Sequence, residues 1–357
     1  MADIRTNHTA PHLLLNIHAM PCNNFCRHCW TCGSSKHARI PFETIEALFR
    51  RLAVIDKGLI QSVSVLFLDE PTLHPQFVDI FRLQSELGFG GMTQFFPTNG
   101  SVLAQMPDSD WDILQQCGID WFQLIFHGLQ HTHDAFTGRK GSFKDLITTV
   151  NRIIDRKLSW SAGVIVHKEN IDELPATVDM LRSLDKSKTS QVGWFLSSYQ
   201  GRGRKLIRCT PDDLARLPEG YRFPEGFLPE SEICMNIMND RQLGAQKVEI
   251  GACGYLTLDI ESDLDIYVGG ACDSGGILGI APHLKSQFRI GSLKTESIES
   301  LIFKANETKP EPVRRLESLT LYELAERYGD PECQDVFFTS DLIVNKWGGT
   351  FLSDFAP

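Results

Sequence analysis

The chain has 357 residues, 42% of them hydrophobic and 22% charged, and acidic side chains outnumber basic ones for a net charge of −10. A chain of this length buries a full core, and its acidic balance argues against nucleic acid, whose phosphate backbone demands dense positive charge. No apolar run approaches the roughly 18 residues of a membrane span, and Met1–His8 lacks the basic and apolar regions of a signal peptide.

Residues 12 to about 200 alternate strand-like and helix-like segments, the pattern of a parallel α/β sheet. His12–His18 reads as the first strand. A helix follows from Pro41 to Ile55, with proline at its first position and Glu43 and Glu46 in its first turn. Ser62–Leu68 is the second strand, and Gln76–Leu87 is its helix, stopped at Gly88. Met92–Phe96, the turn Thr98-Asn99-Gly100 and a helix around Asp110–Cys117 come next. Trp121–Phe126 with Ser142–Arg156, then Ser159–Val166 with Asp172–Leu184, make two more units, and Val192–Ser198 is a sixth strand. Six such repeats fit a partial (β/α)6 TIM-type barrel, with an open doubly wound sheet as the competitor. In both, ligands bind at the carboxyl ends of the strands. Past residue 200 the character changes. Tyr255–Ile260 and Asp265–Val268 alternate around Glu261–Asp263, which predicts a hairpin, and Ile290–Leu301 leads into a helix. The expected organisation is an N-terminal arm over 1–11, an α/β barrel over 12–200 and an α+β extension over 201–357.

Cys22, Cys26 and Cys29 stand as CxxxCxxC directly after the first strand. Three thiolates this close can converge on one face of a [4Fe–4S] cubane and leave its fourth iron open to another ligand. An open position implies chemistry, by the logic that separates catalytic from structural zinc. Cys32 extends the run to CxxxCxxCxxC, and four thiolates in eleven residues also suit zinc or a closed ferredoxin-like cluster. Ten cysteines without an export signal point to metal binding or catalysis in a reducing cytoplasm rather than to disulfides.

The cysteine loop resembles that of the radical S-adenosylmethionine (radical SAM) superfamily, whose fourth iron is chelated by the amino and carboxylate groups of the cofactor. The resemblance covers roughly residues 12–300 and is strongest at the loop and at His127–Phe143. It implies that Cys22, Cys26 and Cys29 hold the cluster and makes Cys32 a spare thiol. Leu68–Pro75 looks like the family's GGEP segment, with Asp69-Glu70-Pro71 at its last three positions and Leu68-Asp69 departing from the double glycine. Asp69 and Glu70 are then implied to bind the methionyl amino group; read alone, the segment is an acidic turn at a strand end. Thr98-Asn99-Gly100 resembles the family's TNG, which implies that Thr98 and Asn99 meet the cofactor's carboxylate or ribose, and it reads equally as a turn.

Gln123–Gly128 resembles the family's strand ending in Ser-x-His/Asp-Gly, with Ile125 in place of serine, so Gln123 and His127 are its polar candidates. His131 and His133 read as surface or capping residues rather than a metal pair. Ser161–Asn170 resembles GxIxGxxE, with Gly163 and Ile165 in place and His167 where a glycine would sit. This implies that Ile165 packs on the adenine, with Tyr199 at its border. The hairpin flanked by Cys253 and Cys272 resembles the start of the SPASM and twitch extensions, which carry auxiliary iron–sulfur clusters. A second [4Fe–4S] cluster on Cys234, Cys253, Cys272 and Cys333 is implied, although the family's closing paired cysteines are absent. Cys209, before the capping pair Thr210-Pro211, is the spare of that region, and Cys117 reads as core.

The resemblance implies an enzyme. A reduced cluster passes one electron to bound S-adenosylmethionine, and the resulting 5′-deoxyadenosyl radical abstracts a substrate hydrogen, with flavodoxin or ferredoxin as electron donor. The expected reaction is oxidation of a small polar metabolite, such as a sugar or aminocyclitol, because few residues precede the first strand to recognise a peptide. A redox-neutral epimerase using a cysteine hydrogen donor such as Cys209, a peptide-modifying enzyme, and a non-catalytic iron–sulfur or zinc protein are the alternatives.

Overall fold

The computed structural model describes residues 10–29, 38–91, 96–184, 191–196, 207–223, 226–248, 255–268, 285–307 and 310–354. Cys32, Tyr199, Cys253 and Cys272 lie outside the described residues. Seven strands belong to the repeating part: β1 (His12–Ile17), β2 (Ser62–Phe67), β3 (Gly90–Gly91), β4 (Phe96–Thr98), β5 (Trp121–Phe126), β6 (Ser159–Val166) and β7 (Gln191–Leu196). The third expected strand, Met92–Phe96, is represented by β3 and β4 on either side of residues 92–95, which are not among those described.

β1, β2 and β3 lie side by side, as do β4, β5, β6 and β7, and every one of these pairings is parallel. Spatial order follows chain order in both runs. A doubly wound sheet reverses its order at a switch point, so these strands wind as a partial TIM-type barrel. Alternation decides which face is buried. Val63, Val65 and Phe67 of β2 and Phe122, Leu124 and Phe126 of β5 join one core beneath the helices. The helices are α1 (Phe42–Ala53), α2 (Phe77–Glu86), α3 (Asp108–Gln116), α4 (Gln130–Thr137), α5 (Ser142–Asp155) and α6 (Leu174–Leu184). In α1 the core side chains are Ile45, Leu48, Phe49 and Leu52, the spacing of one helical stripe. Five of these helices match the expected segments to within a few residues. α4 is additional.

The hairpin forms as expected, from β9 (Tyr255–Ile260) and β10 (Asp265–Val268), and β11 (Arg289–Ser292) continues it antiparallel. β9 also pairs in parallel with β1 along its whole length, from His12 with Tyr255 to Ile17 with Ile260. The hairpin therefore extends the barrel sheet at its β1 edge. A second apolar cluster gathers Ile233, Cys234, Phe288, Leu316, Leu324, Phe337 and Trp347. Beside it, strand β8 (Phe227–Pro229) pairs with β12 (Val336–Phe338). Among the described residues, no helix is long and apolar enough to cross a membrane.

Candidate cluster and cofactor site

The cysteine loop leaves the carboxyl end of β1, and its three cysteines form no disulfide and are half-buried. A backbone hydrogen bond from Cys29 N to Cys26 O (2.9 Å) closes the turn between the last two. The rest of the loop is docked on α4 and on the turn between α4 and α5. Phe25 N donates to Thr137 O (2.7 Å), Arg27 N donates to Phe136 O (3.2 Å), and Arg139 donates from Nε to Asn24 Oδ1 (2.6 Å) while paired with Asp145. Asp134 in turn accepts from Gly141 N, Ser142 Oγ and Phe143 N at the start of α5. The segment His127–Phe143 is therefore the seat of the cysteine loop.

Cys22 is joined directly to the end of β4 and, through Asn99, to Glu70 beyond the end of β2. Its Sγ accepts from Asn24 N and from Asn99 Nδ2, both at 3.4 Å. Burial, and then the charge of Glu70, push this thiol up to about 12. A coordinated metal reverses that preference, because a ligating thiol is deprotonated outright. Glu70 is buried at the end of β2. Its Oε1 accepts from Thr72 Oγ1 (2.5 Å) and Thr98 Oγ1 (2.9 Å), and its Oε2 accepts from Asn99 N (2.6 Å). Burial pushes the Glu70 carboxyl up, and these hydrogen bonds pull against that shift. Glu70, Thr98, Asn99 and Cys22 thus form one connected group: Glu70 holds the Asn99 backbone, and the Asn99 amide, whose Oδ1 accepts from Ser101 N, donates to Asn23 Oδ1 (2.8 Å) as well as to the Cys22 sulfur.

Asp69, in the place of the family's second glycine, has φ 68°, the left-handed region that glycine enters freely and aspartate tolerates. Its Oδ2 meets His18 Nδ1 at 3.0 Å. Burial opposes protonation of His18, but the Asp69 hydrogen bond and the charges of Asp69, Glu261 and Asp259 outweigh it, so the His18 pKa is raised. Nearby, Asn16 donates to Asp259 Oδ1 (2.8 Å), which ties β1 to β9 on the barrel's inner face.

The other expected contacts are more dispersed. Gln123 sits mid-strand, in register with Pro97 and Ser161, and is not brought to the cysteine loop. Ile165 alternates with the core residues Val164 and Val166, so it faces the barrel interior with Gln123 and Ile125. A Cβ at Gly163 on that face would stand 2.7 Å from the Phe195 ring. His127, at the end of β5, is buried, stacks on Phe136 (4.2 Å between ring centroids) and lies 4.8 Å from His28. Gly128 follows at φ 112°, where a Cβ would meet Glu173 Oε2 at 2.6 Å.

His133 corrects the sequence expectation. His131 is exposed as expected, but His133 is buried because its Nδ1 accepts from His127 N (3.2 Å) and its ring packs against Phe126 and Phe143. His167 stacks on the other side of this group, 4.3 Å from Phe136. Burial pushes His133 and His167 down to about 4, and His127 well below its ordinary value. Sequence reasoning missed His18, His28 and Arg139 as parts of the site. Only His28 carried a local signal, its place between Cys26 and Cys29.

In the C-terminal region Cys234 Sγ lies against Met238 Sδ (3.7 Å) and Ala325 O (3.8 Å), and Cys333 is buried beside Glu230. Cys209 is buried, and it lines a water-sized cavity with Val166, His167, Leu196, Arg208 and Val336. Thr210 caps the following short helix with Asp213, as expected. Burial pushes the Cys209 thiol up to about 12.

Three thiols on one loop at the strand ends, one of them already accepting two N–H donors, suit a cubane with an open iron. The model of the radical SAM superfamily matches residues 17–181. The chain is 24% identical over 211 residues to the AdoMet-dependent heme synthase of Methanosarcina barkeri, covering 58% of this chain and 57% of that one. It is 26% identical over 72 residues to the sporulation killing factor maturation protein SkfB of Bacillus subtilis, covering 20% and 18%. The match thus spans less than two thirds of either relative. Among solved structures, native anSMEcpe with bound AdoMet has a TM-score of 0.55 at 16% identity, covering 86% of this chain and 83% of that one. SuiB of Streptococcus suis bound to S-adenosylmethionine also gives 0.55 at 16%, covering 90% and 75%. The fold agrees with theirs, and residues 17–181 of this chain carry the match to the radical SAM superfamily.

Proposed function

We propose that the chain is a radical SAM enzyme that oxidises a small polar metabolite, such as a sugar or aminocyclitol, at the carboxyl ends of the barrel strands. The observation that carries this reading is the junction of the cysteine loop with Glu70 and Asn99 at the ends of β1, β2 and β4. Bound together, the cluster and S-adenosylmethionine supply one-electron chemistry that removes a hydrogen atom from an unactivated carbon. The chain's own part is to hold and orient. Cys22, Cys26 and Cys29 ligate iron, the Asn99 amide donates to the Cys22 sulfur, and Glu70 fixes Asn99. Asp69, Thr98 and His127 border the cofactor's polar end, while Ile165 and Gln123 line the inner face where its base would lie. A polar substrate is supported by buried ring atoms at the mouth that have no partner among the described residues: His127 Nδ1, His133 Nε2 and His167 Nε2. Flavodoxin or ferredoxin is the electron donor in this reading, and Cys234, Cys253, Cys272 and Cys333 of residues 201–357 would hold a second cluster, which would supply the acceptor for the substrate's remaining electron while a proton goes to solvent.

A peptide substrate is the second reading, favoured by the similarity to a protein described as a maturation protein. Anaerobic reconstitution with iron and sulfide, then reduction with S-adenosylmethionine present, tests the class by the appearance of 5′-deoxyadenosine. Absence of that product from a cluster-loaded chain defeats the proposal. Turnover in deuterated water separates the outcomes. Oxidation yields a product lighter by one pair of hydrogens and free of deuterium, whereas an epimerase using an exchangeable thiol such as Cys209 places deuterium at the inverted carbon.

A further inference from the structure

One group of side chains at the barrel mouth has the geometry of a different metal site. The ligand atoms of Cys26, His28 and His127 all lie within 4.8 Å of one another, and among the described residues no other trio of His, Cys, Asp or Glu does so. His127 is buried, its ring stands 4.8 Å from that of His28, and its Nδ1 has no partner among the described residues. Ligands sharing one tetrahedral zinc, at about 2.3 Å for sulfur and about 2.0 Å for nitrogen, lie within about 4 Å of each other. The trio stands within about 1 Å of that spacing. A cubane spreads its thiolates over different irons and has no use for two imidazoles. Cys22 is oriented elsewhere, toward Asn24 and Asn99.

We propose that Cys26, His28 and His127 form a mononuclear site for zinc or ferrous iron in the chain before its cluster is assembled. Binding releases the Cys26 thiol proton to solvent, moves no electron, and leaves the fourth coordination position to water. The ion is held by one thiolate and two neutral imidazoles, a donor set that borderline divalent metals favour over magnesium or calcium. Cluster assembly then requires Cys26 to leave this ion and join Cys22 and Cys29, so a zinc-loaded chain takes up iron and sulfide more slowly than a metal-free one.

The test uses the full chain, stripped of metal, reduced and kept anaerobic. Titration with cobalt(II) should show one tetrahedral ion with a single thiolate charge-transfer band, displaced by one equivalent of zinc. Cys26→Ala, His28→Gln and His127→Gln should each weaken binding by about tenfold or more, and Cys22→Ala should leave it unchanged. X-ray absorption of the zinc-loaded wild-type chain gives a readout that no folding defect can disturb. One sulfur among nitrogen or oxygen ligands supports the site. Three sulfurs, or His28→Gln and His127→Gln binding as wild type does, overturn it in favour of an ordinary three-thiolate site. Either outcome leaves 5′-deoxyadenosine production by the cluster-loaded chain, and with it the proposed function, to be judged separately.

Discussion

In the C-terminal cluster the fully buried carboxylate of Glu230 accepts from Lys346 Nζ, from Trp347 Nε1 (2.8 Å) and from Asp330 N (3.3 Å). At the barrel mouth, by contrast, His127 Nδ1, His133 Nε2, His167 Nε2 and Asp69 Oδ1 are buried with no partner among the described residues. An unpaired buried polar atom costs roughly 1–3 kcal/mol, so several in one place persist where a ligand or water completes them. A carboxylate enclosed by donors is a fastener. The contrast separates a region built to receive something from one built to hold itself together.

The sharpest way to break this contrast is to remove the cluster ligands. Cys22→Ala, Cys26→Ala and Cys29→Ala should each abolish S-adenosylmethionine cleavage, whereas Cys32→Ala should retain it, as followed by 5′-deoxyadenosine formation. Tolerance of Cys22→Ala together with loss in Cys32→Ala would reassign the ligands.

The next largest effect belongs to the fastener. Glu230→Ala leaves the half-buried Lys346 ammonium, beside Phe337, and the Trp347 indole N–H without their carboxylate. Breaking a fully buried pair costs about 3–5 kcal/mol, and solvent reaching the lysine brings the loss toward the lower end. Chemical denaturation should show that loss while cofactor affinity per folded molecule stays unchanged. A selective loss of cofactor binding would place Glu230 among the functional residues and dissolve the contrast.

Glu70 lies between the two types, being both fully hydrogen-bonded and joined to Cys22 through Asn99. Glu70→Ala should weaken S-adenosylmethionine binding about ten- to a hundredfold, the worth of a charge-assisted hydrogen bond of roughly 1.5–3 kcal/mol. Equilibrium binding to the reconstituted variant measures it, and unchanged affinity would make Glu70 a fastener like Glu230.

The smallest effect is a pH dependence. His18 has a raised pKa in the folded chain. Its protonated form therefore contributes stability that is fully present below its ordinary value of about 6.5 and is lost as pH rises through the folded value. The melting temperature of the wild type relative to His18→Gln should be higher at pH 6 than at pH 8.5, by about 2 °C. The buried neutral His133 and His167 carry the opposite sign, with stability lost as pH falls from about 6.5 toward 4.

Local pattern made β5 and β6 legible to the residue, because each is an apolar run bounded by turn residues. The spacing of Cys22, Cys26 and Cys29, and the capping of the helix after Cys209, are likewise short-range facts. α4 escaped notice because its eight residues bury little beyond His133, Phe136 and Thr137, too few for a periodic signal. What the chain alone could not specify depends on contacts between distant segments. The pairing of β9 with β1 joins residues more than two hundred positions apart. The burial of His133 depends on the rings of Phe126 and Phe143, and the grip of Glu70 on Asn99 depends on two strand ends arriving side by side. Residue type and spacing determined which chemistry the loop could support. Only packing decided which polar atoms found partners within the chain and which stayed open at the barrel mouth, because desolvation and hydrogen-bond geometry are properties of the assembled neighbourhood.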